Sequence, residues 1–304
     1  MSTRRTILAG TVAALGELAL TGCDHSSGAT PPVRPTVAGP TSASSSSPSP
    51  SSPTTASSSS SAPSPSQTST PQPSSSSPAS SAPAKLWTPN PGELEPDIKA
   101  VAVEHVAAQV NRSDLQVYDA QYGGLLDTSA SVLVVTSVGT FDVRLVQATP
   151  RWRVTEVHPS DPGAPAAKPT AAATALLAEP RISLPPAAQA DVRSGQVHDT
   201  VLNVLLALAK EHELTVSVVR SGHPLLVFGT TRPSDHPRGR AVDVWRIDGH
   251  AVVDPATPPA LVDGLMRRAA ALGSYNVGGP RQLSGPQFFS DRTHHDHVHM
   301  GFTT

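Results

Sequence analysis

The chain has one cysteine, Cys23, in 304 residues, so no disulfide can form within it. Aromatic residues make up 4% of it and charged residues 15%. Both values are low because a long stretch of uncharged polar residues dilutes them. Lysine is confined to Lys85, Lys99, Lys168 and Lys210. A formal net charge of -2 gives no basic footprint for nucleic acid, so no nucleic-acid partner is expected. The apolar run from Ile7 to Leu20 is too short for a membrane-spanning helix, and it carries Glu17.

That run reads instead as the centre of an export signal over residues 1–23, with Arg4-Arg5 as its positive start. Thr3-Arg-Arg-Thr-Ile-Leu8 also looks like a twin-arginine signal. The signal ends in Leu20-Thr-Gly-Cys23, which resembles a bacterial lipobox. This implies cleavage before Cys23, lipidation of its sulfur, and an extracytoplasmic protein anchored on the outer face of the cell membrane. Residues 24–85 are almost entirely Ser, Pro, Thr and Ala. Too few apolar side chains are present to offset the entropy of ordering, so a disordered tether is expected. At ~3.1 Å per residue where polyproline II forms, its reach is on the order of 100–190 Å.

Residues 86–159 are predicted to form a small α+β domain of unassigned role. Pro96 to Val110 reads as a helix, with Ile98, Val101, Val103, Val106 and Val110 on its apolar face and Pro96 suited to a first turn. An antiparallel meander follows: Leu115–Tyr122, Ala130–Val138, Phe141–Ala148 and Trp152–Val157. Residues 160–174, rich in Ala and Pro, are predicted to be a linker, and 175–304 a second α+β domain. There, Gln196–His212 has the stripe of an amphipathic helix. Leu214–Val219 reads as a strand. Arg240–Ile247 and Ala251–Val253 form a hairpin through Asp248-Gly249, and Thr257–Leu272 a helix stopped by Gly273. A long loop from Gly278 to Thr293 precedes the C-terminal histidines, and loops of that length are often functional.

Two short stretches carry chemistry: Ser234-Asp-His-Pro-Arg-Gly-Arg-Ala-Val-Asp243 and Asp296-His-Val-His299. Three nitrogen or oxygen donors suit a zinc ion that keeps one position open for water. Pro237 and Gly239 argue against a helix carrying both His236 and Asp243. A turn through Pro237-Arg238-Gly239 and a strand from Arg240 bring them together instead. In that strand Asp243 shares a face with Ala241 and Trp245, opposite Val242 and Val244. His297 and His299 point to one side of a second strand, so one can bind the metal while the other stands beside the open position. A lone Asp in a valine-rich strand is usually an edge residue, and a histidine tract alone can be a metal-scavenging tail. Met300-Gly-Phe302 after the tract places it within a domain.

The pair S-x-H-x-x-G-x-A-x-D and H-x-H, about fifty residues apart, resembles the zinc D-alanyl-D-alanine carboxypeptidase family. That family includes VanY-like and VanX-like peptidases and shares its fold with the Hedgehog signalling domain. The resemblance covers about residues 175–304. It implies a Hedgehog/DD-peptidase-like zinc domain preceded by the small helix-plus-meander domain. It further implies zinc as cofactor, held by His236, Asp243 and His299, with Asp296 as general base and His297 beside the developing oxyanion. Peptidoglycan stem peptides are the implied substrate, in a D-Ala-D-Ala carboxypeptidase or related endopeptidase reaction. Family members carry S-G-x-R before the first motif, whereas this chain has Ser221-Gly222-His223-Pro224, with proline in place of the substrate-binding arginine. Arg232 and Arg220 are the candidate stand-ins, Arg232 being nearer the His236 turn, and Ser234 is a third substrate-binding candidate. The missing arginine favours an alternative, a non-catalytic zinc-containing module that binds cell-wall peptides. A zinc-scavenging lipoprotein, with His294 and His295 as extra ligands, is a further alternative.

Overall fold

The structure is a computed structural model that describes residues 86–304. The export signal, Cys23 and the tether lie outside the described residues. Among the described residues the chain is mixed α and β, with five helices and two sheets. None of these helices is long and apolar enough to cross a membrane.

The first lobe is a helix on a meander. α1 (Pro96–Val110) has the predicted bounds. It ends at Asn111, whose left-handed backbone lets its N–H reach the Ala107 carbonyl at 2.9 Å. β1 (Val117–Leu125), β2 (Ser129–Thr136), β3 (Gly139–Val146) and β4 (Arg153–Pro159) pair antiparallel in chain order. Alternation divides their side chains between two faces. Ala120, Tyr122, Val132 and Val134 pack with Ile98, Val103 and Val106 of α1. Leu133 and Val135, on the opposite face, pack against Val218 of the second lobe. Each such buried side chain contributes roughly 1.5–3 kcal/mol relative to exposure. The meander is therefore covered on both faces, and the two lobes belong to one compact unit.

The second lobe is built on a seven-stranded mixed sheet. Its strands are β5 (Ile182–Ser183), β6 (Leu214–Val218), β7 (Ala241–Ile247), β8 (His250–Ala251), β9 (Asn276–Gly278), β10 (Phe288–Phe289) and β11 (Val298–Gly301). The order is β10-β9-β11-β7-β6-β5, with β8 paired to β7. The β7–β8 hairpin turns through Asp248 and Gly249 with positive φ at both, as a type I′ turn requires. Four helices complete the lobe: α2 (Ala171–Ala178), α3 (Pro186–Ser194), α4 (Asp199–Leu208) and α5 (Pro259–Ala271). Leu176, Leu205 and Met266 from three of them share one core with Val242, Val244, Val298 and Met300. Those strand residues alternate with Asp243 and His299, which are thereby turned away from the core.

Two departures from the sequence-based expectations have local causes. α2 begins inside the expected linker, because Thr170 caps it by accepting a hydrogen bond from the Ala173 N–H at 3.1 Å. Ahead of it, the Ala166 N–H donates to the Arg193 carbonyl at 2.8 Å, so 160–174 is fastened to the lobe. α4 is shorter than Gln196–His212, since the His198 N–H is drawn off to the Gly239 carbonyl at 2.9 Å.

Candidate metal centre

Register sets two of the expected ligands side by side. His299 of β11 is the direct cross-strand partner of Asp243 of β7. His236 arrives from a single 3-10 turn, His236–Arg238. Gly239 closes that turn at φ 69°, and a Cβ there would overlap the Gln196 carbonyl oxygen, so the position demands glycine. The outcome is a triangle of donor atoms. His236 Nε2 lies 3.2 Å from Asp243 Oδ1, Asp243 Oδ1 3.0 Å from His299 Nδ1, and His299 Nδ1 3.1 Å from His236 Nε2. Donors bonded tetrahedrally to one ion at about 2.0–2.1 Å stand roughly 3.3 Å apart. The triangle is thus close to what a single small divalent ion spans, and the residues present fit one. The His236 Nδ1 faces the Val219 carbonyl at 2.8 Å, which fixes the proton there and leaves Nε2 free as a donor to metal.

The electrostatics suit the same end. Burial pushes Asp243 upward, but His236, His297 and the hydrogen bonds from His236 and His299 hold it well below the usual carboxylate range. Burial lowers His299 to about 4 against the pull of Asp243, so its ring is neutral at physiological pH. His223, which sequence reasoning passed over, forms with His236 and Asp243 a group of donors that could hold a metal ion. Its ring stacks on His236, with centroids 4.1 Å apart. Burial keeps it well below the ordinary histidine pKa, with the neighbouring His236 acting in the same sense. The one signal that marked it was its place in the altered S-G-x-R stretch.

Beside the triangle stands a histidine–carboxylate pair. His297 Nδ1 contacts Asp296 Oδ1 at 2.6 Å, and His297 Nε2 is 3.8 Å from Asp243 Oδ1. Burial lowers the His297 pKa, but Asp243 and Asp296 outweigh it and raise the ring above its ordinary value. Asp296, the expected general base, is tied to the first lobe. It lies behind His297, outside the residues lining the cleft, with Oδ2 taken by Lys99 Nζ at 2.6 Å and by the Tyr122 N–H at 3.1 Å. Lys99 is wholly buried, between Asp296 and Glu93. Burial works against both charges of this pair. Even so, Asp296 and Glu93 raise Lys99, while Lys99 and the His297 hydrogen bond depress Asp296.

His236, His297 and His299 line a cleft of about 1000 Å³ between the lobes. Gly123 to Asp127 of the first lobe line it too, as do His223, Ser234, Arg232 and Arg238. Of the substrate-binding candidates, Arg232 is exposed on the cleft and Ser234 is buried in its lining. Arg220 is elsewhere: it donates to Gln196 Oε1 at 2.5 Å and lies 3.6 Å from Asp191 Oδ1, so it braces the lobe and does not face the cleft. His295 lies away from the triangle, grouped with Glu93 and Asp296 as donors that could hold an ion, with its Nδ1 donating to the Arg292 carbonyl at 2.7 Å and its Nε2 accepting from the Leu94 N–H at 3.0 Å. His294 Nδ1 is likewise engaged, with Asp291 Oδ1 at 2.7 Å. Comparison of the chain with protein-family models, with curated proteins and with solved structures finds no match in any of the three.

Proposed function

We propose that the chain is a zinc-dependent peptidase of the Hedgehog/DD-peptidase type that acts on peptidoglycan stem peptides outside the membrane, held there by a lipid on Cys23. The observation that carries this reading is the His297–Asp296 pair set against a triangle of His236, Asp243 and His299 in one cleft. His236, Asp243 and His299 would hold the zinc. When bound, zinc supplies a Lewis acid that polarises a carbonyl and lowers the pKa of water to ~7. His297 presents Nε2–H towards the cleft. It donates to the oxygen on which charge develops as water adds to a peptide carbonyl, a contribution on the order of 3 kcal/mol for one such donor. The same proton can pass to the departing amine. Asp296, held ionised by Lys99, orients the ring and, with Asp243, raises its pKa. Arg232 offers a cation to a peptide carboxylate. The proton that the attacking water loses is released to solvent, and solvent restores the one that His297 gives to the amine, so the donor to the leaving group is His297 and not Asp296.

The test is the full chain, zinc-loaded, with wall-derived pentapeptide and cross-linked muropeptides, read by mass spectrometry. Release of one D-alanine marks a carboxypeptidase and cleavage of dimers an endopeptidase. His297→Ala should keep zinc and lose turnover, and His236→Ala should lose both. The second reading, a module that binds wall peptides without cutting them, draws on Pro224 in place of the substrate-binding arginine. One bound zinc, bound peptide and no product would support it.

A further inference from the structure

The first lobe has no role assigned from its sequence, yet one of its side chains reaches the proposed metal ligand directly. Gln121 of β1 points away from the α1 core, since its neighbours Ala120 and Tyr122 fill that core. Its Nε2 donates to Asp243 Oδ2 at 2.6 Å. Its Oε1 accepts from the Ser217 hydroxyl of β6. The orientation of the amide is therefore fixed, because the reverse flip would set its oxygen against a carboxylate oxygen. Gln121 and Ser217 are each 1% exposed, so water does not compete for either contact.

The two oxygens of Asp243 are thus divided between two tasks. Oδ1 belongs to the donor triangle, and Oδ2 belongs to Gln121. We infer that Gln121, delivered by the first lobe, is a positioning residue that fixes Asp243 as a one-oxygen ligand and keeps its second oxygen off the metal. This rests on the reading of His236, Asp243 and His299 as a metal site. Outer partners of this kind orient a ligating carboxylate, and their loss typically weakens metal binding 10–100-fold. The site is then incomplete in the second lobe alone. Residues 86–159 then contribute to the metal centre.

The experiment uses the full chain with Gln121→Met, which keeps length and removes the donor, and Ser217→Ala, which frees the far end of the amide. Zinc affinity is measured by competition with a chromophoric chelator, and cobalt is substituted to report coordination by visible absorption. Thermal midpoints of the metal-free proteins are compared alongside. The expected result for Gln121→Met is zinc binding weakened 10–100-fold. Its cobalt bands should also weaken, as they do when a four-coordinate centre takes a fifth donor from a freed carboxylate oxygen. Ser217→Ala should move both readouts the same way by less, and it carries the test if Gln121→Met does not fold. Val135→Ala, which thins the apolar contact between lobes without touching a polar group, should stay within about threefold of the parent in zinc affinity. Two results overturn the inference: unchanged affinity and cobalt spectrum in the Gln121 and Ser217 variants, or an equal loss in Val135→Ala. If the parent chain binds no zinc, the metal reading itself fails, which is a separate outcome.

Discussion

Lys99 is the buried charge on which the first lobe meets the second, and removing it should cost more than removing its partner. One ammonium with no solvent exposure serves Glu93 and Asp296, whose side chains are each 3% exposed. With so little water to screen the pair, no discount for exposure is due. Losing one member of a buried pair typically costs about 3–5 kcal/mol, chiefly because the survivor is left charged and unpaired. Asp296→Asn leaves Lys99 still facing Glu93, so its cost belongs at the lower end, about 3 kcal/mol. Lys99→Met strands two carboxylates at once and belongs at the upper end, about 5 kcal/mol. At roughly 2–4 °C per kcal/mol for a unit of this size, these correspond to losses of about 6–20 °C in the thermal midpoint. The double variant should recover at least ~2 kcal/mol of the summed costs. Acidity gives a second signature. In the parent, Asp296 is depressed by Lys99, so its stabilisation is present above the ordinary carboxylate pKa of ~3.9 and is lost as pH falls below that. In Lys99→Met Asp296 loses the charge that depresses it while its burial remains, so the deficit shrinks as pH is lowered towards 4. The assay is urea and thermal unfolding of the metal-free full chain between pH 5 and 7.5. A Lys99→Met cost below about 1 kcal/mol, or one independent of pH, would refute a desolvated pair.

Three further outcomes are expected. Gly239→Ala should destabilise by more than the ~1–2 kcal/mol of a left-handed alanine, because its Cβ overlaps the Gln196 carbonyl, and it should weaken zinc binding through His236. Gly249→Ala, with φ 80° and open space around it, should show the strain alone in the same unfolding assay, with zinc affinity unchanged. Arg232→Ala should raise KM for a wall peptide at least several-fold with kcat nearly kept, whereas Arg220→Ala should leave KM alone and lower the unfolding midpoint. Burial raises Asp119 to about 7, so the folded protein holds a proton there that the unfolded chain has released, and stability falls as pH rises from ~4 to ~7. Asp119→Asn should remove that slope and gain about 2–3 kcal/mol on the parent between pH 5 and 7.5, as read from urea midpoints.

Much of this was legible where the signal is local. The proline at the start of α1 and its apolar periodicity mark the whole helix. Val-Asp-Val in β7 alternates as a strand with one odd face, and the glycine of the His236 turn is required by its own backbone. What was missed depends on distance along the chain. Gln121 and Asp243 are 122 residues apart, and Lys99 and Asp296 are 197, so neither pairing leaves a trace in spacing. The engagement of Asp296 went unseen for this reason, since the lysine that pairs with it lies on a helix of the other lobe. One clue was present. Val132-Leu133-Val134-Val135 is apolar without alternation, and that is the pattern of a strand covered on both faces. The short α2 and α3 escaped because alanine-rich turns offer little contrast between faces. His223 escaped because the feature that marks its stretch is Pro224 in place of an arginine, and a lone histidine beside it carries no signal in spacing.

The buried contacts between the lobes have a consequence for how such a sequence can change over generations. A lysine at 99 is tolerable only while an acid sits at 296, and a carboxamide at 121 is useful only while a carboxylate sits at 243. Neither lobe can be exchanged for an unrelated one, nor drift on its own, without leaving a charge or donor stranded in the interior. The two halves are therefore inherited as a pair. Substitutions at 99 with 296, and at 121 with 243, should arise together in any lineage that carries both lobes.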